Sequence, residues 1–158
     1  MTAILLATVF TQAIFAQQTQ LPSLLTSYYG VKDALVAGDA NAAAAKAGEL
    51  LKAINGINMS ALAEKDHKAF MAIQDKLAFD ARHISEKKEI GHQREHFAAL
   101  STNMLTLAKE VKLSQQPIYQ DYCPMKKTTW LSSDPAIKNP YYGDAMLTCG
   151  KVTATLKP

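Results

Sequence analysis

The stretch Phe97-Ala-Ala-Leu-Ser-Thr-Asn-Met-Leu-Thr-Leu-Ala-Lys-Glu-Val111 decides the fold class. Its apolar residues Phe97, Leu100, Met104, Leu107 and Val111 recur at steps of three and four, the spacing that gathers side chains on one face of an α-helix. The pattern ends before Pro117, which cannot continue a helix. Three more stripes precede it. Leu62, Phe70, Ile73, Leu77, Ala81 and Ile84 mark the buried face of a helix capped by Ser60, with Glu64 near its positive end. That pattern loosens through the charged run Ser85 to Glu89, and Gly91 marks a turn. Upstream, Ala42 to Ala45, Ala47, Leu50, Leu51 and Ile54 form an alanine-rich stripe closed by Asn55, Gly56 and Asn58. The first stripe is Leu21, Leu24, Leu25, Tyr28, Val31 and Leu35, followed by Gly38 as a left-handed stop and Asp39 as the next cap. So short a connection forces an antiparallel helix pair.

The expectation is therefore an all-α fold, an antiparallel up-and-down four-helix bundle over about residues 21–113. Beyond Pro117, tyrosines, prolines and glycines replace the helical period. The irregular C-terminal tail, about residues 117–158, is expected to fold back on the bundle. Within it, Tyr119 to Cys123 and Lys151 to Leu156 read as a short two-stranded β element.

Residues 1–16, MTAILLATVFTQAIFA, carry no charge and are too few to cross a bilayer, but suit the core of a signal peptide. Ala16, followed by Gln17, Gln18, Thr19 and Gln20, offers a cleavage point. Residues 17–158 then make one domain of ordinary size, exported or periplasmic, with no stable membrane insertion. The first cysteine is Cys123, so no lipid anchor follows the apolar run. The net charge of +3 is scattered among acids, which argues against a nucleic-acid partner. No nucleophile turn, phosphate-binding glycine loop or Cys-x-x-Cys-His haem attachment is present, so the chain does not read as an enzyme.

The chemistry concentrates in two fragments of the tail, Tyr122-Cys-Pro-Met125 and Met146-Leu-Thr-Cys-Gly150. Residues two apart on an extended segment share a face, which aligns Cys123 with Met125. Residues three apart in a turn do the same for Met146 and Cys149. Convergence of these fragments would give two thiolates and two thioethers, a donor set that favours Cu(I) over harder ions. The other reading is a Cys123–Cys149 disulfide, natural in an oxidising compartment and contributing roughly 3 kcal/mol by restricting the unfolded chain. Spacing leaves both open.

An ordered series of motifs bears on that choice. Tyr122-Cys-Pro-Met125, Trp130-Leu-Ser132, Ile137-Lys-Asn-Pro-Tyr-Tyr-Gly143 and Met146-Leu-Thr-Cys-Gly150 resemble the signature of the domain-of-unknown-function 3347 family. Leu25-Thr-Ser-Tyr-Tyr-Gly-Val-Lys-Asp-Ala-Leu-Val36 and Gln93-Arg-Glu-His-Phe-Ala-Ala-Leu-Ser101 are similar to it too. The resemblance implies an exported domain found alone or on periplasmic adaptor subunits of heavy-metal efflux pumps, and hence the handling of copper or a related soft metal. Cys-Pro-Met also resembles short metal-binding modules of efflux adaptors, but their flanking histidines are replaced here by Tyr122 and Lys126.

Of the four histidines, His92 and His96 lie one helical turn apart, a two-ligand metal spacing. His96, next to Phe97 on the core stripe, is the candidate to reach the tail and assist the sulfur ligands, while His67 and His83 read as surface residues. Asn139-Pro140-Tyr141-Tyr142-Gly143 reads as a turn that shapes the tail, and Trp130 as an apolar anchor for the loop between the cysteines. Arg94 is placed to tether the tail through a carbonyl or an acid such as Asp144. The function expected is capture or transfer of a soft metal ion in homeostasis or efflux, with a periplasmic pump adaptor as protein partner. The alternative is a disulfide-stabilised interaction module of an envelope complex that holds no metal.

Overall fold

The computed structural model describes residues 20–158; the expected signal peptide lies outside the described residues. Five α-helices come first, α1 (Gln20–Val36), α2 (Ala40–Asn55), α3 (Glu64–Met71), α4 (Gln74–Glu86) and α5 (Ile90–Glu110). A three-stranded antiparallel sheet follows, made of β1 (Ile118–Cys123), β2 (Thr128–Ser132) and β3 (Lys151–Leu156) in the order β2-β1-β3. The all-α four-helix reading is thus corrected to an α-rich fold with a C-terminal sheet.

The first helix pair forms for local reasons. At the end of α1, Gly38 takes a φ of 72°, its N–H reaches the carbonyl of Leu35, and the N–H of Asp39 reaches that of Ala34. These bonds satisfy carbonyls that the helix end would otherwise orphan. Asp39 then accepts from the N–H of Ala42 and starts α2. Ala43 and Ala47, both fully buried, let α2 pack closely on α1.

The expected third helix is two. Asn58, rather than Ser60, caps a one-turn 3-10 helix over Met59–Ala61, and its side chain accepts from both the N–H and the hydroxyl of Ser60. The chain then bends at Ile73, whose φ of −130° and ψ of −6° are not helical. Phe70, Ile73 and Leu77 are all buried across that bend. It lets α3 meet α5 while α4 packs between α2 and α5. Gly91 lies inside the first turn of α5, not in a loop. Just beyond it, the buried Gln93 amide donates to the carbonyls of Ala40, Ile84 and Lys87, joining the start of α2 to the end of α4.

The strand missed in the sequence is β2. It pairs with β1 from Tyr119↔Ser132 to Cys123↔Thr128, and β1 pairs with β3 from Ile118↔Leu156 to Tyr122↔Lys151, with an irregularity between Gln120 and Asp121. Trp130 and Leu131 are buried, and β2 packs on α5. The Tyr28 hydroxyl lies 2.7 Å from the Ser101 hydroxyl and accepts from the N–H of Leu131 at 3.1 Å, tying α1, α5 and β2 together. Phe97 stacks on Tyr28 and touches Tyr141, so bundle and tail share one core.

Candidate functional site

The two sulfur-bearing fragments lie at the same end of the sheet. The Tyr122↔Lys151 pairing sets Cys123 beside the Cys149-Gly150 turn, where Gly150 packs against the Trp130 ring and the carbonyl of Tyr122. Asn139 joins them. Its buried side-chain amide donates to the Cys123 sulfur at 3.2 Å and to the carbonyl of Cys149 at 2.6 Å. The same side chain accepts from the N–H of Tyr141, while the Asn139 backbone accepts from Gly143 and donates to Leu147. All the polar groups of Asn139 are therefore engaged in holding this corner.

Cys123 is fully buried, and Lys126 in the β1–β2 turn directs its N–H at the sulfur from 3.4 Å. Cys149 is half-buried at the end of a turn in which its own N–H reaches the carbonyl of Met146. Met125 and Met146 are exposed, at 59% and 39%. Both cysteines are free thiols. The corner thus holds one enclosed sulfur, one half-open sulfur and two flexible thioethers at its rim.

Around it, Trp130 meets Tyr141 edge-on, and the Tyr141 hydroxyl donates to the carbonyl of Thr129. Burial holds the Tyr141 phenol well above its usual range. Pro140 is buried, Tyr142 half-buried, and Gly143 sits against the carbonyl of Val36 and the Arg94 guanidinium. Arg94 donates to the carbonyl of Leu35 at 3.0 Å, at the end of α1, rather than to Asp144.

His96 goes elsewhere. Its Nδ1 meets Asp80 of α4 at 2.9 Å, and its ring lies against those of His83 and His92. Its hydrogen bond and ring contacts involve no residue of the sulfur corner. His83, read as a surface residue, is half-buried in that cluster. Sequence reasoning missed Asp80 and His83. Their three-residue spacing, facing His92-x-x-x-His96 of the next helix, was the available signal. Also missed was Asp121, fully buried on β1, with neither carboxylate oxygen hydrogen-bonded among the described residues. An open cavity of about 520 Å³ beside Leu21, Leu62 and Val111 is lined by neither cysteine nor histidine.

These features define a class, an α-helical bundle whose C-terminal sheet carries a polar, sulfur-bearing corner. The family follows from comparison: a model described as "Protein of unknown function (DUF3347)" matches residues 24–116, and the chain belongs to that family. The match spans α1 from Leu24 through α5 and stops before β1. No curated protein and no solved structure matches the chain. Among the described residues, no helix is long and apolar enough to cross a membrane.

Proposed function

We propose that this protein is an accessory domain that captures a soft metal ion, Cu(I) in the first instance, at Cys123 and Cys149 with thioether help from Met146 and Met125. The Asn139 amide, bonded to both the Cys123 sulfur and the Cys149 carbonyl, is the observation that carries this reading. It ties the two cysteine-bearing segments at one corner, where two soft donors can serve one ion. Enclosure of Cys123 keeps water from the ion, and the exposed methionines at the rim suit rapid exchange with a partner. Export and a metal-efflux adaptor as that partner belong to the same proposal.

The test is competition for Cu(I) against a chromophoric chelator, using the reduced protein. One ion per chain is expected. Cys123→Ser with Cys149→Ser abolishes retention, and Met125→Ala with Met146→Ala weakens it without changing helicity. Failure of the reduced wild-type protein to hold Cu(I), or retention unaffected by loss of both thiols, overturns the proposal. The interaction-module reading instead requires a Cys123–Cys149 disulfide in protein isolated from an oxidising compartment and no retained copper.

A further inference from the structure

Three imidazoles meet between α4 and α5, on a face that the sulfur corner does not use. His83 and His96 stack with ring centroids 4.6 Å apart and planes at 24°, and His92 meets His96 edge-on at 4.7 Å. Each stacked ring is anchored through Nδ1. The carbonyl of Phe79 can only accept, so the 2.9 Å contact with His83 Nδ1 requires a proton on that nitrogen. The Asp80 carboxylate lies 2.9 Å from His96 Nδ1 and accepts from it in the Nδ1–H tautomer. In that tautomer the lone pairs of the neutral rings reside on Nε2 of both His83 and His96, and neither nitrogen is hydrogen-bonded among the described residues. His92 adds a third Nε2, buried and without a partner.

A ring whose Nδ1–H is held by a carboxylate or backbone carbonyl, with Nε2 left as the donor, is the arrangement that orients histidine for a metal. The sequence supplies it from two facing helices, with Asp80-x-x-His83 on α4 and His92-x-x-x-His96 on α5. As the side chains stand, no group of three or more His, Cys, Asp or Glu among the described residues is arranged to hold a metal ion. An ion must therefore draw the rings out of their stacked positions to share their lone pairs. The side chain of Asp80 is 7% exposed and that of His96 19%. Phe79, 54% exposed, covers the His83 ring from outside.

We infer that His83 and His96, with His92 as a third donor that swings in, form a second metal site, specific for a borderline divalent ion of the zinc class, with Asp80 as its positioning residue. Imidazole donors without thiolate select Zn²⁺, Ni²⁺ or Cu²⁺ over Cu(I) or the hard ions Mg²⁺ and Ca²⁺. The site is independent of the sulfur corner, and the test keeps the two apart.

Zinc is titrated against a chromophoric chelator at pH 7.5 into the full chain carrying Cys123→Ser and Cys149→Ser. One equivalent is expected to bind. Asp80→Asn weakens binding about 10- to 100-fold, the usual cost of losing an orienting partner. His83→Ala with His96→Ala removes it. In case that double variant does not fold, the cysteine-free protein is also melted with and without zinc. Its midpoint rises with zinc and not with the same concentration of magnesium. Absence of both binding and melting shift in the cysteine-free protein overturns the inference, as does zinc binding that survives the histidine substitutions.

Discussion

Asp121 is a buried carboxyl held at an electrostatic cost. Burial without a hydrogen-bonding partner pushes its carboxyl up to about 7, with Lys32 of α1 lowering it and Asp134 raising it further. The unfolded chain titrates this group near 4, so between the two values the folded state binds more protons than the unfolded one. Stability attributable to Asp121 is then complete at acid pH, falls as pH rises toward 7, and levels off above it. Asp121→Asn is expected to flatten that slope and to stabilise the protein by about 1–2 kcal/mol at pH 8. Urea denaturation of both proteins at pH 5 and pH 8 measures the difference, and parallel pH profiles would refute it.

At the scale of elements, the turn from Asn139 to Gly143 is the joint between sheet and bundle. Gly143 has a φ of +55°, and a Cβ there would lie 2.8 Å from Arg94 Nη2 and 2.9 Å from the carbonyl of Val36. The guanidinium can move, but the carbonyl belongs to α1. Gly143→Ala therefore adds backbone strain and a steric clash, costing about 1–3 kcal/mol. The melting midpoint reads this directly, and a variant as stable as wild type would show that the joint is loose. Other elements were legible without coordinates. The Gly38-Asp39 stop and cap use local bonds alone, and the alternating runs at Tyr119 and Lys151 lie in strands. By contrast, the bend at Ile73 has no proline or glycine to announce it. Phe70, Ile73 and Leu77 keep the helical spacing and stay buried across it, so the apolar stripe does not reveal the break.

For the molecule as a whole, bundle and sheet share one core. Tyr28 and Phe97 of the helices and Trp130, Leu131 and Tyr141 of the tail belong to a single buried cluster. A chain ending at Gln116 keeps the residues matched by the family model but exposes that aromatic layer and leaves the Tyr28 hydroxyl without its Leu131 donor. Such a chain is expected to lose cooperative thermal unfolding and to bind a hydrophobic dye. A sharp transition at the wild-type midpoint would mean that the helices stand alone. Buried Cys123 also belongs to this cluster, so disturbing the sulfur corner is felt in the core.

The sequence alone determined the helical stripes, the α1–α2 hairpin and the residue types in the sulfur fragments, because period, caps and turn chemistry act over a few neighbouring residues. Tertiary structure decided what those residues meet. Thr128-Thr-Trp-Leu-Ser132 became a strand only because β1 and α5 lie on either side of it. His96 turned to Asp80 instead of the tail because α4 packs on that flank of α5, and α4 also brought in His83. Pairing between strands and packing between helices join residues far apart in the chain, and no local pattern records which distant partner each side chain will find.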